Sequence, residues 1–173
     1  SDDDAMWTSN FLDWMLAPFD DEKMGGVGSR QEMTPVEAHP SGWEVIADFR
    51  LTMRMIETSA TTFVDGGMSC LSGRTAVYRT EILQDPEFEE AFVNETWQNR
   101  YQLHSGDDKF ITRWVVKKHW HMRMQNHKEA SLRTTFKNNS QFLKQVIRWT
   151  RNTWRSDIRS IFVDRVIWRS HPY

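Results

Sequence analysis

Two short stretches constrain this chain more than the rest of it: His104-Ser105-Gly106-Asp107-Asp108-Lys109-Phe110-Ile111-Thr112 and Gln145-Val146-Ile147-Arg148-Trp149. In the first, a glycine precedes two adjacent carboxylates where a helix is expected to begin. In the second, an amide, a guanidinium and an indole follow one another on successive turns of another helix. At about 100° per residue, Leu143, Ile147, Thr150 and Trp154 form a narrow stripe suited to packing. Gln145, Arg148, Trp149 and Asn152 fall on the opposite side, so the packing stripe does not account for Trp149.

Each stretch supports two readings. A carboxylate at a helix start is stabilised by free N–H groups and the helix dipole, which accounts for one aspartate but not readily for two. The other reading makes Asp107 or Asp108 a general base that takes a proton from an attacking hydroxyl. Arg148 suits bidentate contact with a diphosphate, and Trp149 suits stacking on a sugar ring. Alternatively, Trp149 packs on a neighbouring element and Arg148 is a solvated charge. Asp2-Asp3-Asp4 also divides: carboxylates at i and i+2 can hold a hard cation, Mg²⁺ or Mn²⁺, yet acidic terminal runs are common on surfaces.

Charge is unevenly spread. The 173 residues carry a net charge of −2, but residues 1–50 hold eleven Asp/Glu against three Lys/Arg, and residues 141–173 hold two against seven. That polarity suits a cleft with an acidic, metal-holding wall and a basic wall facing phosphate, or a basic end lying on anionic lipid. The negative total argues against a basic nucleic-acid module. Nine Trp and ten Phe are mostly core by expectation, with a few left to line a sugar cleft. No apolar run of 18 residues spans a bilayer. The single cysteine, Cys70, reads as a small core residue, and His119/His121 read as structural.

Periodicity predicts a helix over 7–16, ended by Pro18, and a glycine-entered strand over 24–31. Ser41-Gly42-Trp43-Glu44 is a capping box opening a helix to about residue 57. Residues 68–79 read as strand, Ser-Gly turn, and a second strand or helix start. A short helix falls within 85–99, a helix over 108–118, and strands over 121–125 and 130–135. Ser140 is expected to cap a last long helix, running with breaks to residue 169. The mixture of Ile158, Ile161, Phe162, Val166 and Trp168 with Arg155, Arg159, Arg165 and Arg169 suits an interfacial helix or an ordinary packed one.

Taken in order, Asp2-Asp3-Asp4, the Gly25-to-Gly28 strand, Ser72-Gly73-Arg74 with Tyr78-Arg79, Gly106-Asp107-Asp108-Lys109 and Gln145-x-x-Arg148-Trp149 resemble the processive family 2 glycosyltransferases. Hyaluronan, chitin and cellulose synthases are of that kind, and the details are most similar to hyaluronan-synthase-like, fungal-type polysaccharide synthases. The resemblance implies an α/β fold, a partial GT-A (Rossmann-like) domain over 1–136, then the QxxRW helix and a membrane-interface helix over 137–173. It implies Mg²⁺ or Mn²⁺ held by Asp2 and Asp4, catalysis by Asp108 with Asp107 beside it, and donor diphosphate held by Arg148 with Gln145. Trp149, Ser72 and Gly73 would hold the acceptor.

The implied partners are a UDP-sugar, a growing polysaccharide and membrane lipid, in a multi-pass parent with a cytoplasmic catalytic domain. The first half of a GT-A domain and the transmembrane helices would lie outside this sequence, which alone would be inactive. Single-sugar transfer to a lipid or protein, or an inactive binding remnant, are the alternatives. Arg74 departs from the proline that hyaluronan synthases commonly carry after Ser-Gly.

Overall fold

The computed structural model describes residues 5–64, 66–103, 106–165 and 168. The first half runs β1 (Met6–Trp7), α1 (Phe11–Leu16), a 3₁₀ turn (Ala17–Asp20), β2 (Met24–Met33), α2 (Gly42–Val64) and β3 (Ala76–Tyr78). There follow α3 (Thr80–Leu83), α4 (Pro86–Val93), β4 (Thr96–Trp97), β5 (Tyr101–Gln102), α5 (Asp107–Lys117) and β6 (His121–Gln125). The chain closes with β7 (Ser131–Thr134), α6 (Gln141–Ile158) and a π-helical turn (Arg159–Val163). This is the mixed α/β architecture expected from the sequence.

The long strand β2 organises the sheet. Its first half pairs with antiparallel β3 on one edge and with parallel β6 on the other. Its second half pairs in parallel with β7, which carries antiparallel β1 at the outside. The glycines of β2 are required by what lies over them. A Cβ on Gly25 would fall 2.5 Å from Trp120 Cβ, and one on Gly28 would fall 2.8 Å from both a Leu71 methyl and the Met124 sulfur. The side chains of Leu71, of Trp120 and of Met124 on the neighbouring strand fill the space that a Cβ would take.

Three apolar clusters hold the layers together. Phe88, Phe110, Trp114, Val115 and Leu71 pack α4 and α5 on the sheet. Phe11, Met15, Val27 and Leu132 pack α1 on it, and Ala47, Leu51, Phe136 and Phe142 join α2 to α6.

Three expectations are corrected. The 7–16 helix is a two-residue strand and a shorter helix. Trp7 and Phe11 do meet, stacked at 4.8 Å, so an i, i+4 spacing that reads as one helix is a contact across the turn between two elements. Second, α2 runs to Val64, past residue 57. Along its last turns the Thr58, Thr61 and Thr62 hydroxyls donate to carbonyls one turn back, which satisfies these side chains within the helix without ending it.

The third correction concerns α6, which packs by the other face. Phe142 and Ser156 are buried, whereas Leu143, Ile147 and Trp154 are exposed. The aromatic pocket of Phe136 and the Arg113 hydrogen bond to Ser156 Oγ (2.7 Å) select that face. At the start of the helix, Asn139 Oδ1 accepts from Gln141 N, while the Ser140 side chain makes no capping bond.

Candidate active site

The N-terminus of α5 follows from one glycine. Gly106 sits at φ +94, a left-handed conformation that a side chain would disfavour. It turns the chain so that Asp107 and Asp108 occupy the first turn. Asp107 is exposed. Asp108 is partly covered, its Oδ1 accepting from Lys109 N at 2.8 Å, and Thr112 donates back to the Asp108 carbonyl at 2.7 Å. Thr112 Oγ1 also accepts from Leu71 N at 3.0 Å. That bond ties the start of α5 to the loop carrying Ser72 and Gly73.

A cleft opens between α2, this loop, the start of α5 and the inner face of α6. Asp108, Ser72 and Trp149 all line it, and Phe136 and Phe142 form its apolar floor. Trp149 meets Phe136 edge-on at 6.4 Å. The Arg74 guanidinium lies 4.8 Å from the Phe136 ring centroid and 5.2 Å from that of Trp149. These contacts hold the indole and guanidinium in place before any ligand arrives.

Gly73 lies beside Asp108. Gln145 is half-buried a turn before Trp149, with its amide oxygen buried and unbonded among the described residues. Arg148 lies on the exposed side of α6 and does not line the cleft. Asp2 and Asp4 lie outside the described residues. The strand that follows them is anchored beside the cleft loop, with Trp7 Nε1 donating to Thr75 Oγ1 at 3.3 Å.

Sequence reasoning assigned no role to four lining residues, Arg50, Arg54, Lys109 and Asn152. Arg50 and Arg54 could have been found from their i, i+4 spacing on the α2 face that also presents Ala47 and Leu51 to the cleft. Lys109 and Asn152 carry no comparable signal, because nothing local says which way each faces.

Burial and the Asp108 charge act together on groups beneath the cleft. Burial, then Asp108, pushes the Cys70 thiol up to about 12, and burial likewise raises the Tyr78 hydroxyl. Both stay neutral at physiological pH, so Cys70 is packing, as its sequence context suggests, and not a nucleophile. His121 lies 3.1 Å from Asp21, consistent with a structural role. No helix among the described residues is long and apolar enough to cross a membrane.

Asp108, an indole held edge-on by Phe136 and a guanidinium fixed over both rings thus gather at one cleft on an α/β sheet. Residues 1–152 match the family described as "Glycosyltransferase like family 2". The chain belongs to this family, and its architecture is consistent with a GT-A, Rossmann-like glycosyltransferase domain.

Among relatives, it is 46% identical over 167 residues to a "Type 2 glycosyltransferase" of Zymoseptoria tritici, covering 96% of this chain and 35% of that one. It is 42% identical to one of the same name from Pyricularia oryzae, covering 98% and 35%. An "NDP-glycosyltransferase ltbB" of Aspergillus luteorubrus is 32% identical, covering 99% and 44%. The chain thus spans about a third of the length of its more similar relatives.

Proposed function

We propose that this chain is the catalytic portion of a membrane-associated, inverting family 2 transferase that passes a sugar from a UDP-sugar to the end of a growing polysaccharide. The observation that carries this reading is that Asp108 and Trp149, distant in sequence, line one cleft. Trp149 stacks under the acceptor sugar, with Ser72 and Gly73 at its edge. Asp108 takes the proton of the acceptor hydroxyl as its oxygen bonds to the anomeric carbon and the bond from that carbon to the diphosphate breaks. Asp107, on the solvent side, adds negative charge beside the base.

The donor diphosphate is assigned to Arg148 and Gln145. The unbonded Gln145 oxygen can accept from a ligand hydroxyl beside the diphosphate, and Arg148, on the exposed side of α6, would turn inward to meet the diphosphate. Mg²⁺ or Mn²⁺ on Asp2 and Asp4 would neutralise charge on departing UDP, a hard-cation role that carboxylates suit. Membrane association is supported by the outward face of α6. There Leu143, Ile147 and Trp154 are exposed alongside Arg151, with Phe162 exposed in the π-helical turn beyond, the composition of an interfacial helix.

The test is Asp108→Asn in the full-length protein, with transfer followed from a radiolabelled donor and UDP binding by calorimetry. Loss of a general base lowers turnover by about 10²–10⁴-fold and leaves metal-dependent UDP binding intact. Near-normal transfer would remove Asp108 from this role. A product one sugar long would replace the polysaccharide acceptor with single-sugar transfer.

A further inference from the structure

The cleft is lined by four cationic side chains, Arg50, Arg54, Arg74 and Lys109, and by one carboxylate, Asp108. Lys109 is only 6% exposed, and its ammonium is buried without a hydrogen-bond partner among the described residues. A buried ammonium is costly unless something satisfies it. Arg50 and Arg54 stand one turn apart on α2, a like-charge spacing that disfavours an isolated helix. Arg54 donates to the Cys70 carbonyl at 3.3 Å. Arg74 is held over Phe136 and Trp149 and donates to Gln31 Oε1 at 3.4 Å. Guanidiniums fixed in this way match the paired oxygens of a carboxylate or phosphate.

These cations share the cleft with Asp108 and Trp149, the groups that handle the acceptor in the proposed function, on which this inference rests. We propose that Arg50, Arg54, Arg74 and Lys109 make the cleft select an oxyanion-bearing acceptor, so that the sugar end receiving each new unit carries a carboxylate or a phosphate. The excess positive charge attracts such an end, and the apolar floor holds its ring. A neutral acceptor offers Lys109 only hydroxyl or amide oxygens, which bind an ammonium more weakly than an oxyanion does. The rival tenant is the diphosphate of the donor, and the two differ in which ligand the cations affect.

The experiment uses the full-length protein and four calorimetric titrations: UDP with Mg²⁺, chitotetraose, a glucuronate-ended tetrasaccharide and a chitotetraose phosphorylated on its terminal sugar. One anionic oligosaccharide binds at least about tenfold more tightly than chitotetraose, the loss expected for one charge-assisted hydrogen bond. The arm that binds better identifies carboxylate or phosphate.

Arg50→Gln and Lys109→Gln each reduce that preference without weakening UDP. Arg50 is exposed, so its variant keeps the fold even if the Lys109 variant does not. Equal binding of neutral and anionic oligosaccharides would overturn the proposal. So would variants that weaken UDP instead, which would assign the cations to the donor. Metal-dependent UDP binding without any anion preference sinks this inference alone, whereas absence of UDP binding sinks the transferase reading with it.

Discussion

Gly73 lies against Asp108: a Cβ built on the glycine would be 3.5 Å from Asp108 Cβ and 3.8 Å from its Oδ2. An alanine therefore meets the aspartate at ordinary van der Waals distance, while anything larger must push the carboxylate or turn away from it. Gly73→Ala is expected to keep both melting temperature and transfer rate. Gly73→Leu is expected to keep the melting temperature and lower kcat by about ten- to a hundredfold, the scale of a misplaced catalytic group. Equal loss of stability and activity in the leucine variant would make the contact merely structural.

Gly25 is different, because its neighbours are fixed. Its Cβ would fall 2.5 Å from Trp120 Cβ and 3.0 Å from an Ile82 methyl, and the Trp120 Cβ cannot swing aside without its backbone. Gly25→Ala is expected to cost about 1–3 kcal/mol, as overpacking does, and to lower the melting temperature by roughly 3–10 °C. Thermal denaturation followed by circular dichroism reads this directly, and an unchanged midpoint would contradict the packing described.

The contrast between those two glycines shows what the sequence discloses. Strand β2, helix α5 and strands β6 and β7 are legible because their apolar spacing and flanking residues agree with their final environment. The faces of α6 are not. Leu143, Ile147 and Trp154 form its most apolar stripe, yet the buried side carries Phe142 and Ser156, because partners from distant segments decide the matter. For the same reason the acid pair and Trp149 can be singled out by residue type and spacing. The cationic lining from α2 emerges only when that helix is laid beside them. The Arg74 contacts with Phe136 and Trp149 likewise depend on three segments far apart in sequence.

Arg113 joins those distant segments. On α5, it forms ion pairs with Glu95, after α4, and with Asp164 at 3.3 Å, after the π-helical turn. Its guanidinium also donates to Ser156 on α6. Its side chain is 11% exposed, and those of Glu95 and Asp164 are 8% and 17%. Removing the cation leaves the largely buried Glu95 carboxylate without its ion-pair partner, whereas Asp164 keeps Arg159 at 3.5 Å. Arg113→Met is expected to destabilise by about 3–5 kcal/mol, and Arg113→Met with Glu95→Gln to recover part of that loss. Additive losses in chemical denaturation would mean that the pair is not coupled.

Cys70 offers a probe of the layer beneath the cleft. Its thiol, pushed up to about 12 by burial and then by the Asp108 charge, is protonated at neutral and mildly alkaline pH. The folded protein is expected to leave Ellman's reagent unreacted at pH about 8, with the thiol titrating fully in denaturant. Rapid labelling of the native protein would show that this layer opens.

Glu44 links helix α2 to pH. Its carboxylate accepts from Val36 N at 2.9 Å and Ser41 N at 2.8 Å, while Glu44 N donates to Ser41 Oγ at 3.3 Å. The bond from Val36 and then those from Ser41 hold its pKa below the ordinary 4.5. A carboxylate with a depressed folded-state pKa stabilises the fold fully above its unfolded value and loses that contribution as pH falls through the folded one. Glu44→Ala should therefore melt below the parent at neutral pH. The gap should narrow from about pH 5 downward as the parent carboxylate is protonated. The α2 start holds the helix that carries Arg50 and Arg54 to the cleft, so acid should also weaken oxyanion binding in the parent more than in a protein lacking this cap. A melting gap constant between neutral and acid pH would show that Glu44 acts through its packing and not through its charge.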